Sequence, residues 1–502
     1  MFRAYQGDNI QIRMLVGAHE EGHVHTVNGI KWLQEPSERK SGWRGAQMTG
    51  ISEHFEFLAP LTEVDGTKGP FWDHLYRPST AMDGQWNGAW GVLRAYKNKR
   101  QTLLPLPNND NFKPATLTAT QSTLQVALDP EATTIAGVLQ ELRASNPSDF
   151  TGVCPRTAPV RTFDVTAISA AALPGGKLIY NPRVGNFGGN PGPLNDPTAL
   201  IYANSSDLNV AGALKPGVPV EPLVLRAIAG DCIMLTLRNR LPATVPDQDG
   251  FSGLPPIVMN FNANQIRPSS NVGMQPQLLA YDVSRDDGMN IGRNTGDGTV
   301  PPGGSITYRW YAGDLARDPA TDRLIATPVE FGTVNLLPAD TIEQGLKGLG
   351  AVLVVEPAGA TWTTDAKTRT AATVTSPSGT FREFVVMTQG SVNLRDRNGK
   401  AICPTAGAGA EAGVGTCQGS DDAEESGNQA VNYRSEPMWF RLGYDPGAPL
   451  EQTRNVDTTN AVSNTQVGGD PATPVFTAKA GTPVARSAAS VSLASASSSL
   501  RE

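Results

Sequence analysis

The chain has 502 residues, 39% of them hydrophobic, and it carries 52 glycines, 39 prolines and a net charge of −7. That much apolar material excludes a wholly disordered chain and allows roughly two to four domains, while the Gly and Pro content favours turns and short strands over long helices. The acidic balance argues against a nucleic-acid-binding face, and no apolar run reaches the roughly 20 residues of a membrane span.

Residues 1–100 form a first unit. Asn9-Ile10-Gln11-Ile12-Arg13-Met14 alternates polar and apolar residues at the two-residue period of a half-buried strand. His23 to Trp32 repeats the habit, and Glu53-His54-Phe55-Glu56-Phe57 reads as a third strand. The unit closes on Gly88-Ala89-Trp90-Gly91-Val92-Leu93-Arg94-Ala95-Tyr96, a small-residue turn feeding a strand. Met1 is followed at once by strand-like sequence, so we expect no signal peptide and a chain that opens in mid-pattern. Residues 101–158 read as a linker rich in Asn, Pro and Thr, with a short helix expected over 134–143.

Residues 159–360 repeat the outline of the first unit. Gly230-Asp231-Cys232-Ile233-Met234-Leu235 matches Gly7-Asp8-Asn9-Ile10-Gln11-Ile12, and aligning Gly348 on Gly88 places Val352-Leu353 on Val92-Leu93. Two units with the same opening and closing strands predict tandem β-sandwiches with Greek-key connections. A third unit over 378–484 opens at Phe381-Arg382-Glu383-Phe384-Val385 and reaches Gly481-Thr482-Pro483-Val484. There the matching strand is expected to fail, because residues 485–502 are almost all Ala, Ser and Val and read as a low-complexity tail. Of the four cysteines, Cys403 and Cys417 bracket a Gly/Ala-rich loop that a disulfide would close. Cys232 reads as a small buried core residue, and Cys154 carries little signal.

Imidazole chemistry is confined to one end of the chain. The five histidines are His19, His23, His25, His54 and His74. His23 and His25 share one face of a strand, and a turn would bring His19 beside them. Imidazoles so grouped suit copper, zinc or iron; the plain alternative is a polar strand surface near a loop rim. Gly17 followed by His23-Val24-His25 also resembles the start of the cupin metal motif, but residues 26–33 hold no glutamate and no histidine follows His74.

A broader resemblance covers most of residues 1–484. The opening Gly7-Asp8-Asn9-Ile10-Gln11-Ile12-Arg13, the runs Gly17 to His23 and Asn28 to Trp32, the closing Asp83 to Leu93 and Gly345 to Pro357, and the Pro302 to Trp310 turn-and-strand look like pieces of one family, as does Asn432-Tyr433-Arg434-Ser435-Glu436-Pro437. In order and content the chain resembles the multicopper oxidases, and among them the large bacterial copper oxidases of manganese-oxidase type. The resemblance implies an all-β chain of tandem cupredoxin-like Greek-key sandwiches, the last incomplete, in a periplasmic or extracellular protein. It implies copper as cofactor, and one-electron oxidation of a small organic or metal-ion substrate coupled to reduction of dioxygen to water.

The ligand set departs from that family. Its type 1 copper takes a cysteine thiolate and two histidines, and where the cysteine belongs this chain reads Trp72-Asp73-His74. On the family pattern His23 matches a type 1 histidine, while Thr26 and Asn28 stand where trinuclear-cluster histidines belong. The second unit has no histidine, reading Gly332-Thr333-Val334-Asn335 where the family carries a pair. A full copper set takes about ten histidines and a cysteine. We therefore expect either an incomplete copy of an oxidase or a copper-free scaffold or interaction module. His23 and His25, with His19, are the candidates for one residual metal ion.

Overall fold

The computed structural model describes residues 1–17, 23–38, 40–62, 69–77, 85, 88–104, 149–185, 192–246, 267–318, 323–390, 392, 394–399, 429–443, 457–467, 469–490 and 499–500. His19, the Cys403/Cys417 pair and the helix expected over 134–143 lie outside them. Among the described residues the chain is nearly all β, with short 3-10 turns and one α-helix, Met438–Leu442.

The first unit is a five-stranded sheet on a two-stranded ladder. Across the sheet run Phe2–Tyr5, Gly91–Tyr96, Phe71–Arg77, His23–Val27 and Ala46–Thr49. Phe2–Tyr5 lies parallel to Gly91–Tyr96, and the other pairings are antiparallel. Asn9–Leu15 and His54–Pro60 form the ladder. Val27, Leu93 and Ala95 from the sheet meet Phe57 and Ala59 from the ladder in the core. The alternation read from Asn9 to Met14 is what places Ile10, Ile12 and Met14 against that core.

The second unit enlarges the plan. One sheet runs Leu200–Asn204, Val160–Ser169, Cys232–Asn239, Ser305–Tyr311 and Ala280–Tyr281. The other runs Leu223–Ile228, Ala351–Glu356, Gly332–Pro338 and Met274–Pro276. The core between them holds Leu235, Leu237, Tyr308 and Trp310 opposite Leu225, Val334, Leu353 and Val355. Gly332–Pro338 and Ala351–Glu356 are buried along their whole length. Their outward residues, such as Val352 and Val354, belong to a second core shared with Val385 and Met387 of the third unit. A sheet covered on both faces reads as a continuous apolar run, as Val352-Leu353-Val354-Val355 does.

The internal repeat holds at the level of single hydrogen bonds. Gly7 and Gly230 both turn through positive φ, 83° and 93°. The N–H of Gly7 donates to the Leu61 carbonyl at 2.7 Å, and that of Gly230 to Ala312 at 2.7 Å. Asp8 Oδ2 accepts from the Tyr5 N–H at 2.8 Å, and Asp231 Oδ2 from the Ile228 N–H at 2.8 Å. At the closing strands Val92 pairs with Leu75, and Val352 with Asn335. Gly88 and Gly348 both sit at positive φ, so the alignment made on those glycines is the structural one.

Three expectations are corrected. Cys232 is buried as expected, but it is no free core thiol: it forms a disulfide with Cys154, with Cα atoms 5.6 Å apart. Apolar neighbours describe a half-cystine as well as a thiol, so the sequence around Cys232 did not separate the two. Residues 149–158, assigned to the linker, belong to the second unit: Phe150–Thr151 and Cys154–Pro155 pair as a hairpin, and Phe150, Val153 and Cys154 enter its core. The strand denied to the third unit is present. Gly481 turns at φ 80°, the Thr482 N–H donates to Lys479 O at 3.1 Å, and Val484–Ser490 runs parallel to Gly379–Gln389. Cys232–Asn239 runs beside Val160–Ser169 in the same way. Ser499–Leu500 then adds a further rung. Ladder bonds are made by main-chain groups, which Ala and Ser supply as well as Val does; a poor core-building composition does not forbid a strand.

Candidate functional site at the junction of the first two units

The parity of His23–Val27 separates the histidines from the junction. His23 and His25 share a face with Val27, which lies in the sandwich core. The His25 ring stacks on Phe57 with centroids 5.8 Å apart. Burial pulls the His25 pKa down to about 4, so the imidazole is neutral at ordinary pH, and its Nε2 is buried without a hydrogen-bond partner. His23 lies beside it, while His19 falls outside the described residues. Among the described residues no three His, Cys, Asp or Glu side chains gather as a metal site would require.

Thr26 and Asn28 point the other way, towards the second unit. The repeat pairs them with Gln275 and Gln277: Asn28 N–H donates to Leu75 O at 2.9 Å, and Gln277 N–H to Asn335 O at 3.0 Å. Both segments line one narrow cavity between the units, so the two copies face each other. The three carboxamides are committed to hydrogen bonds, while the Thr26 hydroxyl is buried with no partner among the described residues. Asn28 Nδ2 donates to Asp287 Oδ2 at 3.1 Å and to Met289 Sδ at 3.4 Å. Gln275 Nε2 donates to the Tyr281 hydroxyl at 3.2 Å, and Gln277 Oε1 accepts from Asn335 Nδ2 at 2.9 Å.

Below this seam lies a buried charged network that sequence reasoning missed. The Tyr281 hydroxyl donates to Asp287 Oδ1 at 2.8 Å. Burial pushes the Asp287 pKa up to about 7, against the opposing pull of those hydrogen bonds and of Arg77. Arg77 is itself buried, and desolvation lowers its pKa to about 10 although Asp287 favours its charge. Its Nη1 donates to Gln85 Oε1 and to Thr341 Oγ1, both at 3.0 Å.

A second clamp lies further along Phe71–Arg77. Arg94 donates to Asp73 through Nε at 2.7 Å and Nη2 at 2.8 Å, a bidentate pair with both side chains buried. Asp73 Oδ2 also accepts from the Arg293 N–H at 2.7 Å. The Asp73 main chain exchanges bonds with the Asn294 carboxamide, both at 2.9 Å. Gly292 is required here, since a Cβ would come within 2.1 Å of Asp73 Oδ2. The available signal was parity: Asp73, Leu75 and Arg77 occupy one face of an otherwise apolar strand, opposite Arg94 across the ladder.

His74 has a defined tautomer. Its Nδ1 lies 2.9 Å from Asn28 O, and a carbonyl only accepts, so Nδ1 carries the proton. Burial lowers its pKa, leaving Nε2 a bare lone pair without a partner. Trp72, two residues earlier on the same face, likewise has an unpartnered Nε1. Both line a cavity of about 60 Å³ walled by Leu61, Val283 and Leu315, with the Lys31–Asp314 ion pair beside it at 3.1 Å. The cavity has room for a few waters, which would pair both atoms.

The residues at the junction do not fit copper. Asn28 presents a donor, not a lone pair, and spends it on a carboxylate. Both cysteines among the described residues are joined in the disulfide. No family model matches the chain, and no curated protein matches it.

Proposed function

We propose that the chain is a tandem of cupredoxin-like sandwiches of the multicopper-oxidase type, whose first two units act as a copper-free scaffold. The chemistry such a scaffold would serve is one-electron oxidation of a small organic or metal-ion substrate with dioxygen as acceptor, in a periplasmic or extracellular setting. One observation carries the reading. Thr26 and Asn28, at positions where the resemblance places copper-binding histidines, face their repeat counterparts Gln275 and Gln277 across a closed seam of hydrogen-bonded carboxamides. Such a seam supports rigidity between units and gives copper no imidazole. The Cys154–Cys232 disulfide suits an oxidising compartment.

A second reading places one metal ion at His23 and His25. It is favoured by the neutral, unpartnered Nε2 of His25. Reconstitution of the purified chain with copper, followed by metal analysis and visible spectroscopy, tests both. The scaffold reading expects no intense thiolate-to-copper band and no copper surviving desalting. One ion lost on His25→Gln would establish the second reading, and an intense blue band would overturn the first.

A further inference from the structure

The junction opens on one side into a cleft of about 440 Å³, within the range of small-molecule sites. Both units build it. The first contributes Trp90 and Gln85, the second Asn271, Met289 and Asp340. Trp90 is 52% exposed, a large apolar face left open to solvent beside the Gly88 turn.

The polar groups here sort into those already engaged and those free. Asp340 is the only charged lining residue among the described residues, and its carboxylate accepts the N–H groups of Ser269, Ile342 and Glu343 at 2.9, 3.1 and 2.9 Å. Gln85 is oriented by its engaged oxygen: Oε1 accepts from Arg77 and Thr341, and its amide nitrogen has no partner among the described residues. Asn271 donates its main-chain N–H to Ser269 Oγ at 3.1 Å, and its side-chain carboxamide is unengaged among the described residues. Among the described residues the cleft therefore offers one aromatic face, the Asn271 carboxamide, the Gln85 amide nitrogen and no cation.

We propose that this cleft binds a neutral sugar ring. An anion would find no cation and would meet the Asp340 carboxylate. A bare aromatic ring would stack on Trp90 but leave the Asn271 carboxamide and the Gln85 amide nitrogen desolvated and unpaired. A pyranose meets both demands, because its C–H face lies against the electron-rich indole and its hydroxyls donate to and accept from carboxamides. Binding at this cleft holds the two units together and is independent of copper.

Isothermal titration of the purified chain with cellobiose, maltose and diacetylchitobiose, with catechol as the planar comparator, tests the proposal. At least one disaccharide is expected to bind saturably, with saturation-transfer NMR showing contact at its ring protons. Trp90→Ala is expected to weaken that binding by about tenfold, and Asn271→Ala to weaken it less. Circular dichroism should be unchanged, because both residues are exposed. Trp362→Ala, on the strand Thr361–Thr364 and outside the cleft, should bind as the parent does. Absence of binding by all three sugars, undiminished binding in Trp90→Ala, or binding of catechol alone would overturn it.

Discussion

His25 and Asp287 titrate in opposite senses. The His25 pKa falls from 6.5 to about 4 on folding, so the folded chain binds fewer protons there than the unfolded chain. Its contribution to stability is whole above pH 6.5 and is lost as pH falls through about 4. The Asp287 pKa rises from 3.8 to about 7, so its contribution is whole below pH 3.8 and is lost as pH rises through about 7. Thermal midpoints recorded across this range should therefore respond to two substitutions with opposite signs. His25→Gln should flatten the acid-side loss, and Asp287→Asn should flatten the loss towards neutrality. An unchanged pH profile in either variant would show that the residue is solvated. Neither burial was legible in the sequence: His25 was visible as a candidate ligand, but nothing local announces that Phe57 covers it. Asp287 sits in a loop of polar residues, and only the approach of Asn28 and Tyr281 removes it from water.

At the scale of elements, the opening turn is the most repeated device in the chain. Asp8 and Asp231 close it with equivalent 2.8 Å bonds to the main-chain N–H three residues earlier, whereas the third copy carries Thr482 at that position. Asp231→Ala should cost about 1–2 kcal/mol, since it removes the bond to the part-buried Ile228 N–H and the ion pair with Arg161. Urea denaturation of the variant reads that loss directly. The cross-link beside the turn is worth more. Cys154 and Cys232 are 78 positions apart, and loosening a loop of that length costs about 4 kcal/mol in the chain-entropy account. Cys154→Ala should lower the denaturation midpoint accordingly, and reduction of the parent should reproduce the loss.

The third unit is tied to the second by a residue held against its own preference. Asn432 and Tyr433 adopt left-handed φ angles of 49° and 59°. The Asn432 side chain bridges Met387 N–H and Val385 O, at 2.7 and 2.8 Å, in place of a neighbouring strand. The Tyr433 hydroxyl donates to Gly348 O at 2.7 Å, reaching the closing turn of the second unit. These bonds offset the backbone strain, and they give the Asn432-Tyr433 pair a structural role that its place in the family resemblance did not specify. Strand positions were legible because alternation and turn glycines are local properties. The strand at Val484–Ser490 was not, because its support is the main chain of Gly379–Gln389, a partner far away in sequence.

At the scale of the whole molecule, Gly332–Pro338 and Ala351–Glu356 are buried on both faces, whereas Phe71–Arg77 is largely buried between the first and second units. The outward face of Phe71–Arg77 makes the junction polar, through Asp73, Arg94 and Arg77, whereas the outward face of Ala351–Glu356 is chiefly apolar. Between the second and third units Arg226 is buried between Glu356 and Glu383, a single cation held by two carboxylates. Arg226→Met should destabilise that contact by about 3–5 kcal/mol, because it leaves two buried carboxylates facing each other. Limited proteolysis between the second and third units would show the loosening. The repeat that made the architecture readable did not reveal what the junctions contain. Thr26 and Asn28 stood out only through the resemblance, Gln275 and Gln277 not at all, and what the four do together shows only when the two copies face one another.

On the proposed function, the seam is a hydrogen-bonded joint that does not bind copper. Anomalous diffraction at the copper edge, from crystals of the copper-reconstituted chain, tests it most directly. No anomalous peak between Asn28 and Gln277 is expected, with the Asn28–Asp287 and Asn335–Gln277 bonds in place. A copper peak within bonding distance of Thr26, Asn28, Gln275 or Gln277 would contradict the account.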